Sequence, residues 1–206
     1  KELEFTTNRN SLDWIISTAW AWEKKRNEKR PAVFLDRDGT INLDPGYLND
    51  PEKFEMLPGV GPALARLQKA GFELVIVSNQ SGVGRGLITR NQIARIHEKL
   101  DELLLKDGVK ITHYELCFHH PDENCECRKP KPALIVRPAL RYSIDLAKSY
   151  MIGDKLSDIQ CGQNAKVRES ILVKTGYGAR EEENAKKMGV RVVHSLTEAV
   201  DAILSG

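Results

Sequence analysis

The segment Pro31-Ala-Val-Phe-Leu-Asp-Arg-Asp-Gly-Thr40 decides the reading of the 206-residue chain. Its apolar run, Ala32 to Leu35, stops at Asp36, and a second acid, Asp38, follows two residues on. Four continuously apolar residues closed by polar and Gly signals predict a buried, central strand. In open α/β sheets ligands bind just outside the carboxyl ends of strands. Two carboxylates placed there could share one metal ion. Taken alone, the same residues would also make an ordinary acidic corner between strand and loop.

The full string Asp36-Arg-Asp-Gly-Thr40 resembles the nucleophile motif of the haloacid dehalogenase-like (HAD) phosphatases. The chemistry explains the two acids. An ionised carboxylate can attack phosphorus and form an aspartyl-phosphate, which splits one hard displacement into two easier ones. A second acid protonates the leaving alcohol and then deprotonates a water. Phosphate-monoester hydrolysis calls for accelerations of up to about 10²¹-fold. Further partners along the chain are therefore expected.

Hydrophobic content of 41% and charged content of 29% are those of an ordinary globular protein large enough for one sizeable core. A net charge of +2 gives no reason to expect nucleic acid or an anionic membrane as partner. No apolar run approaches the roughly 18 residues of a membrane span, and no secretory cleavage pattern is present. Three of the four cysteines crowd between Cys117 and Cys127, which suggests metal rather than disulfides and a cytoplasmic setting. A monomer acting on a small molecule is expected.

Residues 1–30 are the least informative and read as a helical extension or linker ahead of a domain spanning 31–206. The chain starts at Lys1 rather than Met, as a processed or excised piece would. Leu12, Ile15, Ile16, Ala19 and Trp20 share one helical face, with Ser11 able to cap its start. The charge run Glu23 to Arg30 reads as a solvated face.

Beyond Thr40, Asp44-Pro45-Gly46-Tyr47 is a turn signal placed to wall a site beside the two acids. A helix from Gly61 to Ala70 leads to a second strand, whose apolar Leu74–Val77 run ends in Ser78-Asn79-Gln80-Ser81. A hydroxyl and amides there can hydrogen-bond phosphate oxygens, although the same string makes ordinary turns. Thr89 and Gln92 form a capping box for a long amphipathic helix, on which His97 reads as structural or exposed. A third strand, starting at His113, runs into Cys117, His119, Cys125 and Cys127, a closed tetrahedral set for structural zinc with His120 as competitor to His119.

Arg128 and Lys129 follow the last ligand, and Lys129 is placed to neutralise Asp36 and phosphoryl oxygens. After a helix expected over Pro132–Leu146, a fourth strand ends in Asp154. Asp36, Asp154 and the Asp38 backbone carbonyl make an adequate oxygen set for Mg²⁺. Lys155 could touch phosphate or pair with a local acid. Asp158 reads either as support for the metal ligands or as part of the first turn of a helix capped by Ser157.

DRDGT, SNQSG, CRKPKP and GDKLSD stand in the chain order of the four HAD phosphatase motifs over residues 31–206. The resemblance implies a three-layer α/β fold, a mostly parallel sheet with helices on both faces and a zinc-stapled loop. Within the superfamily the chain resembles the D-glycero-D-manno-heptose 1,7-bisphosphate phosphatases, which combine DRDGT, a GY loop, NQSG-x-x-RG and the Cys/His loop. The resemblance implies Asp36 as nucleophile, Asp38 as proton donor, and Ser78 and Lys129 on the phosphoryl group. It also implies Mg²⁺ on Asp36, Asp38 and Asp154, and zinc on the Cys/His set. Asp44–Tyr47, Ser78–Ser81, Arg128 and Lys155 would contact a sugar bisphosphate. Histidinol-phosphate phosphatases share the short zinc loop, and a polynucleotide 3′-phosphatase is a further alternative on the same scaffold.

Overall fold

The computed structural model describes residues 12–27 and 29–206. Helix α1 (Leu12–Asn27) precedes an alternation of strands and helices. In order these are β1 (Ala32–Leu35), α2 (Val60–Lys69), β2 (Glu73–Asn79), α3 (Ser81–Gly84), α4 (Arg90–Leu105), β3 (His113–Cys117) and α5 (Ala133–Arg141). Then come β4 (Tyr150–Gly153), α6 (Leu156–Ala165), β5 (Glu169–Val173), α7 (Gly178–Lys187), β6 (Arg191–Val193) and α8 (Leu196–Ser205). Within α1, Leu12, Ile16 and Trp20 are exposed. The expected cap Ser11 lies outside the described residues.

The strands form one parallel sheet in the order β3-β2-β1-β4-β5-β6. β1 is central, paired with β2 on one side and β4 on the other. The chain winds outward from β1 in both directions, so a crevice opens at the carboxyl ends of β1, β2 and β4.

Alternate residues of each strand face opposite layers. Val33 and Leu35 pack with Leu64, Leu67, Ile96, Leu100 and Val200, from α2, α4 and α8. Ala32 and Phe34 pack with Leu134, Ile135 and Cys161, from α5 and α6, on the other face. Burial on both faces is why β1 shows no apolar/polar alternation in sequence.

Two expected boundaries shift. α5 ends at Arg141, and the chain then bends through Ser143 at φ 52°, making a 3₁₀ turn only at Leu146–Lys148. The helix that follows β4 is not capped by Ser157. Its start is held by Asp158, whose Oδ2 accepts the Lys155 N–H at 3.0 Å. The capping box of α4 is present, with Thr89 Oγ1 accepting the Gln92 N–H and Gln92 Oε1 accepting the Thr89 N–H.

Candidate active site

Asp36 leaves β1 with its N–H donated to Ile152 O at 2.9 Å, which fixes it beside Asp154 at the end of β4. Ser78 and Asn79 close β2 at the same sheet edge. These strand ends and the loops above them enclose a cavity of about 430 Å³. Of the expected residues, Asp36, Asp38, Asp44, Gly46, Tyr47, Ser78, Asn79, Gln80, Ser81, Arg128, Lys129 and Lys155 line it. Asp154, fully buried, and Pro45 do not. Pro45 lines a neighbouring cavity with Gly39, Asn42 and Gly176.

The floor is a buried charge cluster. One carboxylate oxygen from each of Asp36, Asp154 and Asp158 lies within 4.8 Å of the others. Lys129 Nζ stands 2.7 Å from Asp36 Oδ1, 2.7 Å from Asp158 Oδ1 and donates to Val77 O at 2.8 Å. Burial alone would depress this ammonium, but Asp158 and Asp36 outweigh it and hold the group more basic than usual. Asp154 is displaced the other way. Burial, reinforced by Asp36, lifts its carboxyl to about 7, with Lys155 and the Tyr177 N–H opposing.

Asp154 Oδ2 accepts the Tyr177 N–H at 2.8 Å, but its buried Oδ1 has no hydrogen-bond partner. Lys155 Nζ stops 3.8 Å short of it. An unpartnered buried carboxylate oxygen facing two more acids suits a hard divalent cation. Two glycines press on this oxygen pair. A Cβ at Gly39 (φ 84°) or Gly176 (φ 55°) would each come within 2.2 Å of Asp154 Oδ2, and one at Gly176 would lie 2.7 Å from Gly39 Cα.

The Asp38 side chain belongs to a different set. Arg37 Nη2 lies 2.7 Å from each of its oxygens, and Asn42 Nδ2 and Gln80 Nε2 donate to it at 3.1 and 2.9 Å. Burial raises its pKa, yet Arg37 and these donors leave it below the usual carboxylate value. Only the backbone carbonyl of Asp38 is then free for the metal role expected of it. Arg37 itself is buried and meets His97 Nε2 at 3.4 Å. Burial and then Arg37 push His97 down to about 3, so the ring is neutral, stacked on Tyr114 at 4.2 Å. His97 is thus structural.

Asn79 and Gln80, expected on substrate, spend their amides within the protein. Asn79 accepts the Lys129 N–H and donates to Lys129 O, mooring the Cys/His loop to β2. Gln80 Nε2 donates to Asp38 and Ser78. In that loop Cys117 Sγ lies 3.6 Å from His119 Nδ1 and 3.5 Å from Cys125 Sγ, and Cys127 Sγ 3.3 and 3.7 Å from the same two atoms. Ligands at ~2.0–2.3 Å from a tetrahedral metal sit about 3.3–3.8 Å apart. The four residues fit such an ion. His120 turns away, its Nδ1 accepting the Asp122 N–H at 3.2 Å.

Arg128 enters the cavity with its Nη1 buried and, among the described residues, unpartnered. Lys155 Nζ is 3.3 Å from Asp44 Oδ2. Sequence reasoning left Asp158 undecided, read Ser157 only as a helix cap and passed over Tyr177, and all three line the cavity. The signal for Tyr177 was available, since β5 neighbours β4 and its carboxyl-end turn must open on the same edge as Asp154.

A profile of the HAD-hydrolase-like family matches residues 126–199. The D-glycero-beta-D-manno-heptose-1,7-bisphosphate 7-phosphatase of Photorhabdus laumondii is 40% identical over 180 residues, covering 84% of this chain and 95% of the relative. That of Escherichia coli K12 is 41% identical over 181 residues, 84% of this chain and 93% of the relative. The crystal structure of D,D-heptose 1,7-bisphosphate phosphatase from B. bronchiseptica, complexed with magnesium and phosphate, superposes with a TM-score of 0.80 at 34% identity, covering 85% of this chain and 98% of that one. With that degree of identity across nearly the whole length of the relatives, on a sheet whose acids converge where a phosphate would have to sit, the chain belongs to the D-glycero-beta-D-manno-heptose-1,7-bisphosphate 7-phosphatase family of HAD-like hydrolases.

Proposed function

We propose that the chain removes the C7 phosphate of D-glycero-D-manno-heptose 1,7-bisphosphate through an aspartyl-phosphate on Asp36. The observation that carries this is the floor itself, a nucleophile-ready carboxylate held 2.7 Å from a buried ammonium, beside a buried acid with one oxygen unpartnered. The names of the relatives supply the sugar.

Asp36 Oδ attacks phosphorus, the ester bond to the C7 oxygen breaks, and that oxygen takes a proton from Asp38. Asp38 then takes a proton from a water that attacks the aspartyl-phosphate, which releases inorganic phosphate and restores Asp36. Lys129 offsets the charge building on the transferring oxygens, and Ser78 Oγ, buried at the cavity wall, hydrogen-bonds one of them. Arg37 holds Asp38 ionised, the form required for the water step. For the ester-cleaving step Asp38 must carry a proton, and the one it takes from the attacking water at the end of each turnover supplies the next.

Mg²⁺, held by Asp36, Asp154 and the Asp38 carbonyl, would supply positive charge against the phosphate oxygens. Cys117, His119, Cys125 and Cys127 would hold Zn²⁺ as a closed set with no position for substrate, and the ion would fix the loop that carries Arg128 and Lys129. Arg128 and Lys155 are the cations left to read the second phosphate, with Asp44, Gly46 and Tyr47 forming the outer wall. Among the described residues no helix is long and apolar enough to cross a membrane. On this reading the enzyme is cytoplasmic, a monomer acting on a small molecule. The phosphatase domain of this reading spans residues 31–206.

The test is a phosphate-release assay with Mg²⁺ on heptose 1,7-bisphosphate, histidinol phosphate and 3′-phosphorylated DNA. Preference for the heptose bisphosphate, abolished in Asp36→Asn with the fold retained, is expected. Preference for either other substrate refutes the assignment.

A further inference from the structure

We propose that Tyr177 determines specificity for the sugar portion of the substrate. It does so by presenting its ring as a wall of the cavity and by positioning Lys155. The inference rests on the function proposed above and adds a residue to it.

Tyr177 sits in the turn after β5, and its two halves do separate things. Its backbone N–H holds Asp154 Oδ2 at 2.8 Å. Its ring lies in the cavity wall, 43% exposed although flanked by charged side chains. A large aromatic left half-open at the mouth of a polar cavity forfeits burial that packing inward would have gained. Rings in such positions can close over the apolar C–H faces of a ligand that has both apolar and polar edges. A sugar is such a ligand. Tyr47, 46% exposed on the separate loop after β1, lines the same cavity and gives it a second ring.

The ring also governs a cation. Lys155 Nζ stands 4.6 Å from the Tyr177 ring centroid, 3.3 Å from Asp44 Oδ2 and 3.8 Å from Asp154 Oδ1. A lysine head has three donors and a flexible stem. The two carboxylates alone would leave it free to swing between them, and the ring face fixes a third direction. The Lys155 ammonium is thereby kept in the cavity, where a ligand phosphate can meet it. Arg180 approaches the same ring at 5.7 Å, from outside the set that lines the cavity.

Separating the two halves of Tyr177 gives the test. Tyr177→Ala keeps the N–H that holds Asp154 and removes the ring, whereas Tyr177→Phe keeps both. Each variant and the wild type are assayed with heptose 1,7-bisphosphate and with p-nitrophenyl phosphate, and thermal melting confirms folding. Tyr177→Ala is expected to lose roughly 10- to 30-fold in kcat/KM on the sugar substrate, mainly in KM, and several-fold less on the aryl phosphate. Tyr177→Phe should stay within about 3-fold of wild type on both. Equal losses on the two substrates, no loss on either, or a Phe variant as poor as the Ala variant overturns the assignment. A wild type that hydrolyses the aryl phosphate but not the heptose bisphosphate overturns the functional reading and this one with it.

Discussion

Replacing Lys129 with Met keeps the length of the side chain and deletes its charge. The ammonium is the donor to Asp36, Asp158 and Val77 O, at 2.7, 2.7 and 2.8 Å, in a slot where its side chain is 2% exposed. Its loss leaves two buried carboxylates without their cation and one backbone carbonyl without its donor. Removing one partner of a buried ion pair costs about 3–5 kcal/mol. For a chain of this size that is roughly 6–20 °C in Tm, at 2–4 °C per kcal/mol. The deficit depends on pH. Burial already holds the Asp158 carboxyl above its usual range while Lys129 pulls it back; without Lys129 it rises further, so the variant should lose stability as pH climbs from about 4 and approach wild type at acid pH. Turnover should fall by about 10²–10³-fold, since a charge aimed at the transferring oxygens is gone. Melting curves from pH 4 to 8 in EDTA, with single-turnover rates in Mg²⁺, provide the readouts. A Tm within 2 °C of wild type at pH 7.5, or a rate within threefold, refutes the claim that Lys129 neutralises this cluster.

Three further outcomes are expected. Cys125→Ser should bind less than one equivalent of zinc by metal analysis and lose activity as the loop bearing Arg128 and Lys129 loosens; wild type purified without chelators and found zinc-free would count against the zinc assignment. Arg128→Ala should lose roughly 10- to 150-fold in kcat/KM on the bisphosphate, chiefly in KM, the value of one charged hydrogen-bond partner, and equal damage on p-nitrophenyl phosphate would assign Arg128 to the chemical step instead. Burial and Asp36 hold the Asp154 carboxyl up at about 7, above the usual carboxylate range, so in metal-free protein the folded state binds the extra proton and stability should fall as pH rises from about 4 to 7. Mg²⁺ should then raise Tm more at pH 8 than at pH 5, and a uniform rise at both would show that the ion does not bind these acids.

Much of this arrangement is legible in sequence because β1, β2 and β4 are buried on both faces and write themselves as unbroken apolar runs ending in Asp36, Ser78 and Asp154. The Cys/His spacing is equally local, within one loop. What escaped is what depends on distant neighbours. Arg37 was given no role in sequence, and only the approach of α4 with His97 makes it a buried clamp on Asp38. Asp158 stayed undecided between supporting the metal ligands and starting a helix; it does start the helix, and the Lys129 ammonium, brought in by a separate loop, makes it a counter-charge as well. The end of α5 is hard to read because the turn that stops it, Ser143 at φ 52°, has none of the usual Gly signal.

The contact between Gly39 and Gly176 sets a rule for anyone reshaping this enzyme. Three chain segments meet there with no volume to spare, and a single methyl at either position would displace Asp154. Both backbones also sit at positive φ, where a side chain is strained whatever the space. Libraries that seek a new substrate should hold these two positions invariant and put their diversity into Tyr47, Ser157 and Tyr177. There the cavity wall can change shape while the acids beneath keep their places.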